Sequence, residues 1–315
     1  MTKGINHIGN YKKALYFVAV IVVTITQQAF GQQRAHFTQY ITNELVINPA
    51  YAGAEEALSV ALLHRSQWSD IEGAPVTQSF TAHSLFKSKN VGLGLSVIND
   101  KIGIHGILTA HSSYAYRIQL NEETFLSFGL QFGLNQRKSD FNSLSDQVQN
   151  ANDPKLYSSN ISKTSFEFGS GLYLKSSRLN LGISIPNMLP EKTLSDSINI
   201  SLANNIYFLG RYNIPVNINV SFQPGILVKY VQGLPVSYDI NLAAIINDVL
   251  LLGMSYRTKE TINAIIQAKI TPQLKIGYAY DYPLAKVGGV GSNSNEFMIS
   301  YLFRFLNFRI SKPRE

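Results

Sequence analysis

Residues 125–135 read Phe-Leu-Ser-Phe-Gly-Leu-Gln-Phe-Gly-Leu-Asn. Leu126, Phe128, Leu130, Phe132 and Leu134 are apolar, and Ser127, Gly129, Gln131, Gly133 and Asn135 between them are small or polar. Successive side chains of a strand point to opposite faces, so this stretch reads as a strand with one greasy and one wet face. The pattern recurs in Val216, Ile218, Val220 and Phe222, in Leu274, Ile276, Tyr278, Tyr280 and Tyr282, and less cleanly in Phe297, Ile299, Tyr301, Phe303 and Phe305. The expected count is about 14 strands, near residues 57–66, 76–85, 91–98, 107–118, 123–135, 164–175, 178–184, 199–211, 215–229, 236–246, 249–257, 261–270, 273–282 and 295–305.

Alternation alone fits a soluble sandwich as well as a barrel. The connections separate the two. Short ones fall near 87–90, Asn121-Glu122, Ser176-Ser177, Asn213-Ile214, Asn247-Asp248 and Thr271-Pro272. Longer ones mostly fall between them, at 67–75, 99–106, 137–163, 186–197, 230–235 and 283–294, with 258–260 a short exception. Short turns on one rim and long loops on the other is the arrangement of a transmembrane β-barrel, with the short turns periplasmic. An even strand count then puts both termini on the periplasmic side. Tyr114, Tyr116, Tyr278, Tyr280 and Tyr282 suit an interfacial belt, while Arg117, Lys275 and Asp281 on the opposite faces need a watery lumen or a partner.

Composition agrees with a barrel. Of 315 residues only 15% are charged, against roughly 25% in a soluble domain, and 17 Tyr and 17 Phe are present. The absence of cysteine removes disulfides and thiolate metal sites. Lys12 and Lys13, the apolar stretch Ala14 to Ile25 and the small residues of Ala29-Phe30-Gly31 read as an export signal cleaved before Gln32. Three parts are therefore expected: a signal peptide over 1–31, an N-terminal periplasmic or plug segment over 32–56, and an outer-membrane barrel over 57–315. Removal of 1–31 takes Lys3, Lys12 and Lys13 and no acid from a net charge of +7, which leaves no basic stripe for nucleic acid.

Within 32–56, Phe37, Tyr40 and Ile41 are expected along one side of a short helix that Asn48-Pro49 breaks. This segment is a candidate plug, rim element or partner-binding piece. The histidines His36, His64, His83, His105 and His111 form no H-E-x-x-H motif, and Gly92-Leu93-Gly94 lies in a strand with no phosphate-binding helix after it. Gly92, Gly94 and Ser96 read instead as a crowded inner face. No catalytic residue, cofactor site or metal site is assigned.

One ordered set of residues includes two motifs that no barrel physics demands, Asn48–Gly53 and the pair Arg65–Trp68 with Gly73–Gln78. It runs Phe37-Thr38-Gln39-Tyr40, Asn48-Pro49-Ala50-Tyr51-Ala52-Gly53, Arg65-Ser66-Gln67-Trp68, Gly73-Ala74-Pro75-Val76-Thr77-Gln78, Gly92-Leu93-Gly94, Asp100-Lys101-Ile102-Gly103 and Tyr114-Ala115-Tyr116-Arg117. This set resembles the PorP/SprF family of Bacteroidetes type IX secretion proteins. The resemblance implies an outer-membrane protein of the secretion machine, in some members used for gliding motility. Its implied partners are outer-membrane lipid and type IX ring or translocon proteins, or a cognate secreted protein's C-terminal domain. The candidate partner-binding or plug residues are Asn48, Pro49, Tyr51, Gly53, Arg65, Gln67, Trp68, Gly73, Pro75, Thr77, Gln78, Asp100 and Gly103. Their physical reading is local. Pro49 and Gly53 fix the entry into strand one, and Trp68 ends that strand as an interfacial aromatic. Gly73-Ala74-Pro75 makes a stiff bend, and Arg65 is expected to pair with Asp100 or Glu72. The runner-up is a passive diffusion pore, against which the mostly small and polar inner faces, with scattered charges, favour a filled lumen.

Overall fold

The computed structural model describes residues 36–86, 90–141, 161–188, 191–192, 201–202, 204–232, 234–258, 260–284 and 292–303. The expected signal peptide and most of the loop over 137–163 lie outside them.

Fourteen strands form the barrel: β1 (Leu58–Ser66), β2 (Val76–Phe86), β3 (Val91–Ile102), β4 (His105–Gln119), β5 (Phe125–Ser139), β6 (Ile161–Lys175), β7 (Leu179–Ile185), β8 (Asn205–Tyr212), β9 (Val220–Val231), β10 (Ser237–Ile246), β11 (Leu250–Arg257), β12 (Thr261–Lys269), β13 (Leu274–Pro283) and β14 (Ser294–Phe303). Each pairs antiparallel with the next, and β14 closes on β1 with Leu58 opposite Phe303 and Ser66 opposite Asn295. Closure leaves no bare edge in the ring, as lipid requires.

The wall is inverted relative to a soluble protein. Along β5, Phe128 is 47% and Phe132 54% exposed on the outside, while Ser127, Gln131 and Asn135 are buried on the inside. The same inversion sets outward Leu93 and Leu95 on β3 against buried Ser96 and Asp100. An outward apolar band around a polar interior is the mark of a barrel in lipid. Tyr230, Tyr238, Tyr256 and Tyr282 face outward close to one rim, and Phe86 and Tyr212 end strands at the other.

Two connections differ from expectation. The loop expected over 99–106 is a tight hairpin at Gly103-Ile104, because β3 continues to Ile102 and the left-handed φ of Gly103 (+54°) reverses the chain at once. The turn expected at Asn213-Ile214 lies at 216–219. Ile214–Pro215 still pairs with β9, and the Asn217 side chain accepts from the N–H groups of Asn219 and Val220 to form the turn. Val216 and Ile218 therefore sit outside the strand that their alternation suggested.

Residues 36–57, before β1, lie inside the lumen. They form three short 3₁₀ turns, Gln39–Thr42, Glu44–Val46 and Pro49–Tyr51, in place of one helix broken at Asn48. Tyr40, Ile41, Leu45, Ala50, Tyr51 and Ala52 pack in one cluster with the inward wall residues Ala115, Tyr173, Leu209, Ile265 and Ala279. This plug runs the length of the lumen. His36 and Phe37 share a small cavity with Lys229, Ser237, Asp239 and Arg257, which sit at the strand ends leading into 232–236 and 258–260. Twenty residues on, Glu56 meets Arg117 (2.7 Å) near the opposite rim, where Leu58 begins β1. The strand ends Leu58 and Phe303 thus share a rim, whereas the described N-terminal end lies at the other mouth.

Candidate functional site

The plug is held at three levels. At the long-loop mouth the fully buried Glu296 on β14 accepts the N–H groups of Gln39 (2.7 Å) and Thr38 (2.8 Å). These N–H groups open a 3₁₀ turn and have no partner inside it, so the carboxylate acts as the turn's cap. Arg65 on β1 donates to Glu296 (3.1 Å) and to Thr38 Oγ1 (3.1 Å), and its other nitrogen meets Asp281 on β13 at 2.6 Å. Thr38 in turn donates to the Asp281 carboxylate (2.8 Å). Two carboxylates, one guanidinium and the turn's N–H groups form a buried latch between plug and wall. Arg65 therefore does not pair with Asp100 or Glu72 as expected. Asp281 and Glu296 reach it because β14, the last strand, lies beside the first.

Beside the latch, Tyr40 accepts from Asn241 (2.7 Å), and its hydroxyl lies 3.3 Å from Asp239, which Arg257 holds at 3.0 Å. Lys229 donates to His36. Burial holds the His36 imidazole well below its ordinary pKa, and the Lys229 ammonium pushes the same way.

At the middle level, wall glycines admit the plug backbone. A Cβ on Gly92 would stand 2.0 Å from Ala52 O, one on Gly129 2.2 Å from Ala50 N, and one on Gly171 2.2 Å from Asn48 Oδ1. Asn48 accepts from Ala50 N (2.9 Å) to cap the turn that Pro49 opens, and donates to Leu172 O on the wall (2.9 Å). Tyr51 is buried edge-on between His83 and Tyr173, both at 5.3 Å, and its hydroxyl donates to Glu55 (2.7 Å). Gly53 takes a φ of +81° and donates to His83 Nδ1 (3.2 Å). At the third level, Arg211 donates to Ile41 O (2.6 Å) and pairs with Glu44 (2.7 Å). Lys175 closes the base on Ala54 O (2.8 Å).

The remaining expected site residues gather at the long-loop rim. Gln67 donates its N–H to Pro75 O (2.9 Å), and Trp68 turns the chain with a φ of +50° and donates to Ser294 Oγ (3.2 Å). Gly73 accepts from Gly103 N (2.8 Å), which ties the first outer loop to the β3–β4 hairpin. Below them Thr77 donates to Asp100 (2.6 Å) on the inner face. Gln78 is the outlier: it faces outward and is exposed, away from the others. The structure adds Thr38, Gln39, Asp281, Glu296, Arg211 and the wall glycines to the site. Alternation marked Asp281, Gly92 and Gly129 as inward; Thr38 and Gln39 lie in the non-periodic plug, and the pairing of all these residues across the ring had no local sequence signal.

No curated protein matches the chain. Among solved structures it is similar to the Acinetobacter baumannii outer membrane protein Omp33 (TM-score 0.46, 8% identity, covering 79% of this chain and 99% of that one). It is also similar to the P. putida toluene transporter TodX (0.49, 10%, 82% and 94%) and to a Pseudomonas aeruginosa FadL homologue (0.42, 12%, 79% and 89%). The family model described as type IX secretion system membrane protein PorP/SprF matches residues 29–301, and the chain belongs to that family.

Proposed function

We propose that this barrel is an outer-membrane anchor of type IX secretion that binds machine components or the C-terminal domain of a secreted protein, and that it does not conduct solutes. The observation that carries this reading is that residues 36–57 pack inside the lumen and are latched there by Arg65, Asp281 and Glu296. A diffusion pore needs an open path lined by charges that set selectivity. Here Arg65, Glu296, Asp281, Arg211 and Lys175 are turned on the plug. Binding then falls to the rims. The long-loop rim, built on Gln67, Trp68, Gly73 and Gly103, faces the cell exterior, and the short-turn rim, with the start of β1 and the end of β14, faces the periplasm. Gliding motility is a further role open to the same anchor.

The test is affinity purification of the tagged protein from native outer membranes in mild detergent, followed by mass spectrometry. Co-purification of type IX ring or translocon proteins, or of one large secreted protein through its C-terminal domain, is the expected result. Recovery of the barrel alone, while other envelope complexes survive the same detergent, contradicts it.

A further inference from the structure

One pair of inner charges is not taken up by the plug. Lys269 ends β12 and Lys275 is the second residue of β13, and the two stand directly opposite each other across the short turn over 270–273. Alternation points both into the lumen, in step with the buried Gln267 and Ala279. Like charges at directly opposite strand positions destabilise the pair. The next strand brings no relief, since the residue opposite Lys275 on β14 is the uncharged Ser300. Among the described residues neither ammonium has a hydrogen-bond or ion-pair partner. The charges nearby are committed elsewhere. Arg211 holds Glu44 and Ile41 O. Glu55 accepts from Tyr51, and of the charges around it Lys175 acts on it most strongly. Asp248 lies in the exposed turn over 247–248. Lys275 is attracted by Glu55 and repelled by Lys269 and Arg211.

The two lysines line a cavity of about 360 Å³, which falls in the range of about 300–1,000 Å³ found for sites that enclose a ligand. A bare phosphate would leave most of it empty. The rest of the lining is apolar, with Ile245, Leu251 and Leu302, or amide, with Gln223 and Gln273. That mixture suits a chain carrying both carboxylates and apolar side chains. The ammonium groups face the lumen, so a lipid headgroup outside the wall does not meet them. The cavity opens where Ser59 lies near the start of β1 and Leu302 near the end of β14, at the short-turn rim. We propose that it receives an acidic segment of a periplasmic polypeptide, with carboxylates set between Lys269 and Lys275 and apolar side chains against Leu251 and Leu302. This deepens the anchoring role, on which it rests together with the periplasmic placement of the short turns. Charge-assisted hydrogen bonds to the two ammonium groups supply the recognition.

The probe is a fluorescein-labelled peptide in which Glu alternates with Ala and Leu, added to the purified full-length barrel in detergent. Its control has Gln in place of every Glu. The expected result is binding of the Glu peptide alone, read by anisotropy, and binding roughly tenfold weaker to the Lys269→Gln/Lys275→Gln variant. On the wild type, the Glu peptide is expected to protect Lys269 and Lys275 from acetylation, read by mass spectrometry, and to leave Lys101 near the other rim unprotected. Equal binding to the double variant overturns the proposal. So does the absence of protection on the wild type, a readout that does not depend on the variant forming a barrel. Protection of both lysines by inorganic phosphate as complete as that by the peptide makes this a small-anion site and overturns the acidic segment. The affinity purification separates this proposal from the reading beneath it. Type IX proteins that co-purify undiminished with the double variant rule out this cavity as their seat and leave the anchoring role standing. A wild type that retains none of them contradicts the anchoring role itself.

Discussion

Arg65 shows how a single side chain ties the two ends of the wall to the plug. It is almost fully buried, and it faces Asp281 and Glu296, both more deeply buried still. Removing one partner of such a cluster leaves uncompensated charge, which typically costs about 3–5 kcal/mol. Arg65→Ala is therefore expected to lower the urea midpoint of the vesicle-embedded protein strongly. Arg65→Lys is expected to recover only part of the loss, because an ammonium cannot reproduce the forked contacts. A wild-type midpoint for Arg65→Ala would show that the latch contributes nothing. Asn48 acts on a smaller scale. Asn48→Ala removes a turn cap and a wall hydrogen bond, a loss of about 1–2 kcal/mol in the same measurement. The wall glycines make a sharper test. Gly129→Val drives side-chain carbon into the Ala50 backbone and is expected to expel the plug, making residues 36–57 cleavable by added protease. Gly106→Val, where a Cβ meets nothing within 4 Å, is expected to leave the plug protected.

At the scale of elements, the strands were legible, and the segment before β1 was legible as a candidate plug but its path was not. Alternation of large apolar with small or polar residues marked all fourteen strands, because lipid outside and plug inside impose opposite chemistry on successive positions. The failures have local causes. In 216–219, Val216 and Ile218 kept the strand alternation, yet Asn217 supplied a turn by accepting two N–H groups. At Gly103 a two-residue reversal stood where a polar stretch suggested a loop. The plug carries no period, since each residue answers to a different patch of wall: Thr38 to β13 and β14, Tyr40 to β10, Ile41 to β8, Asn48 to β6. The Asn48–Gly53 and Arg65–Trp68 motifs were visible as unusual, and Arg65 as inward. Its partners were not, because they lie more than 200 residues away in sequence and only ring closure brings them near. As an element, the plug is expected to be separable. A chain in which residues 36–57 are replaced by a Gly/Ser linker should still resist unfolding in unheated gel samples as a barrel. Failure of that chain to form a barrel would make the plug part of the folding core.

At the scale of the whole molecule, the protein is a closed ring with its polar chemistry inside and its apolar chemistry outside, and the interior is occupied by its own chain. One cavity, about 360 Å³, opens beside Thr42, Glu55, Lys269 and Lys275 near the short-turn rim and is bounded above by the plug. The plug occupying the lumen is what the proposed anchoring role rests on. The most direct measurement is conductance of the purified wild-type protein in planar lipid bilayers, beside the Gly129→Val variant. Silence from the wild type and discrete open-channel steps from the variant are the expected pair. Steady ion conductance from wild-type barrels with the plug intact would contradict the sealed lumen and return the protein to the class of diffusion pores.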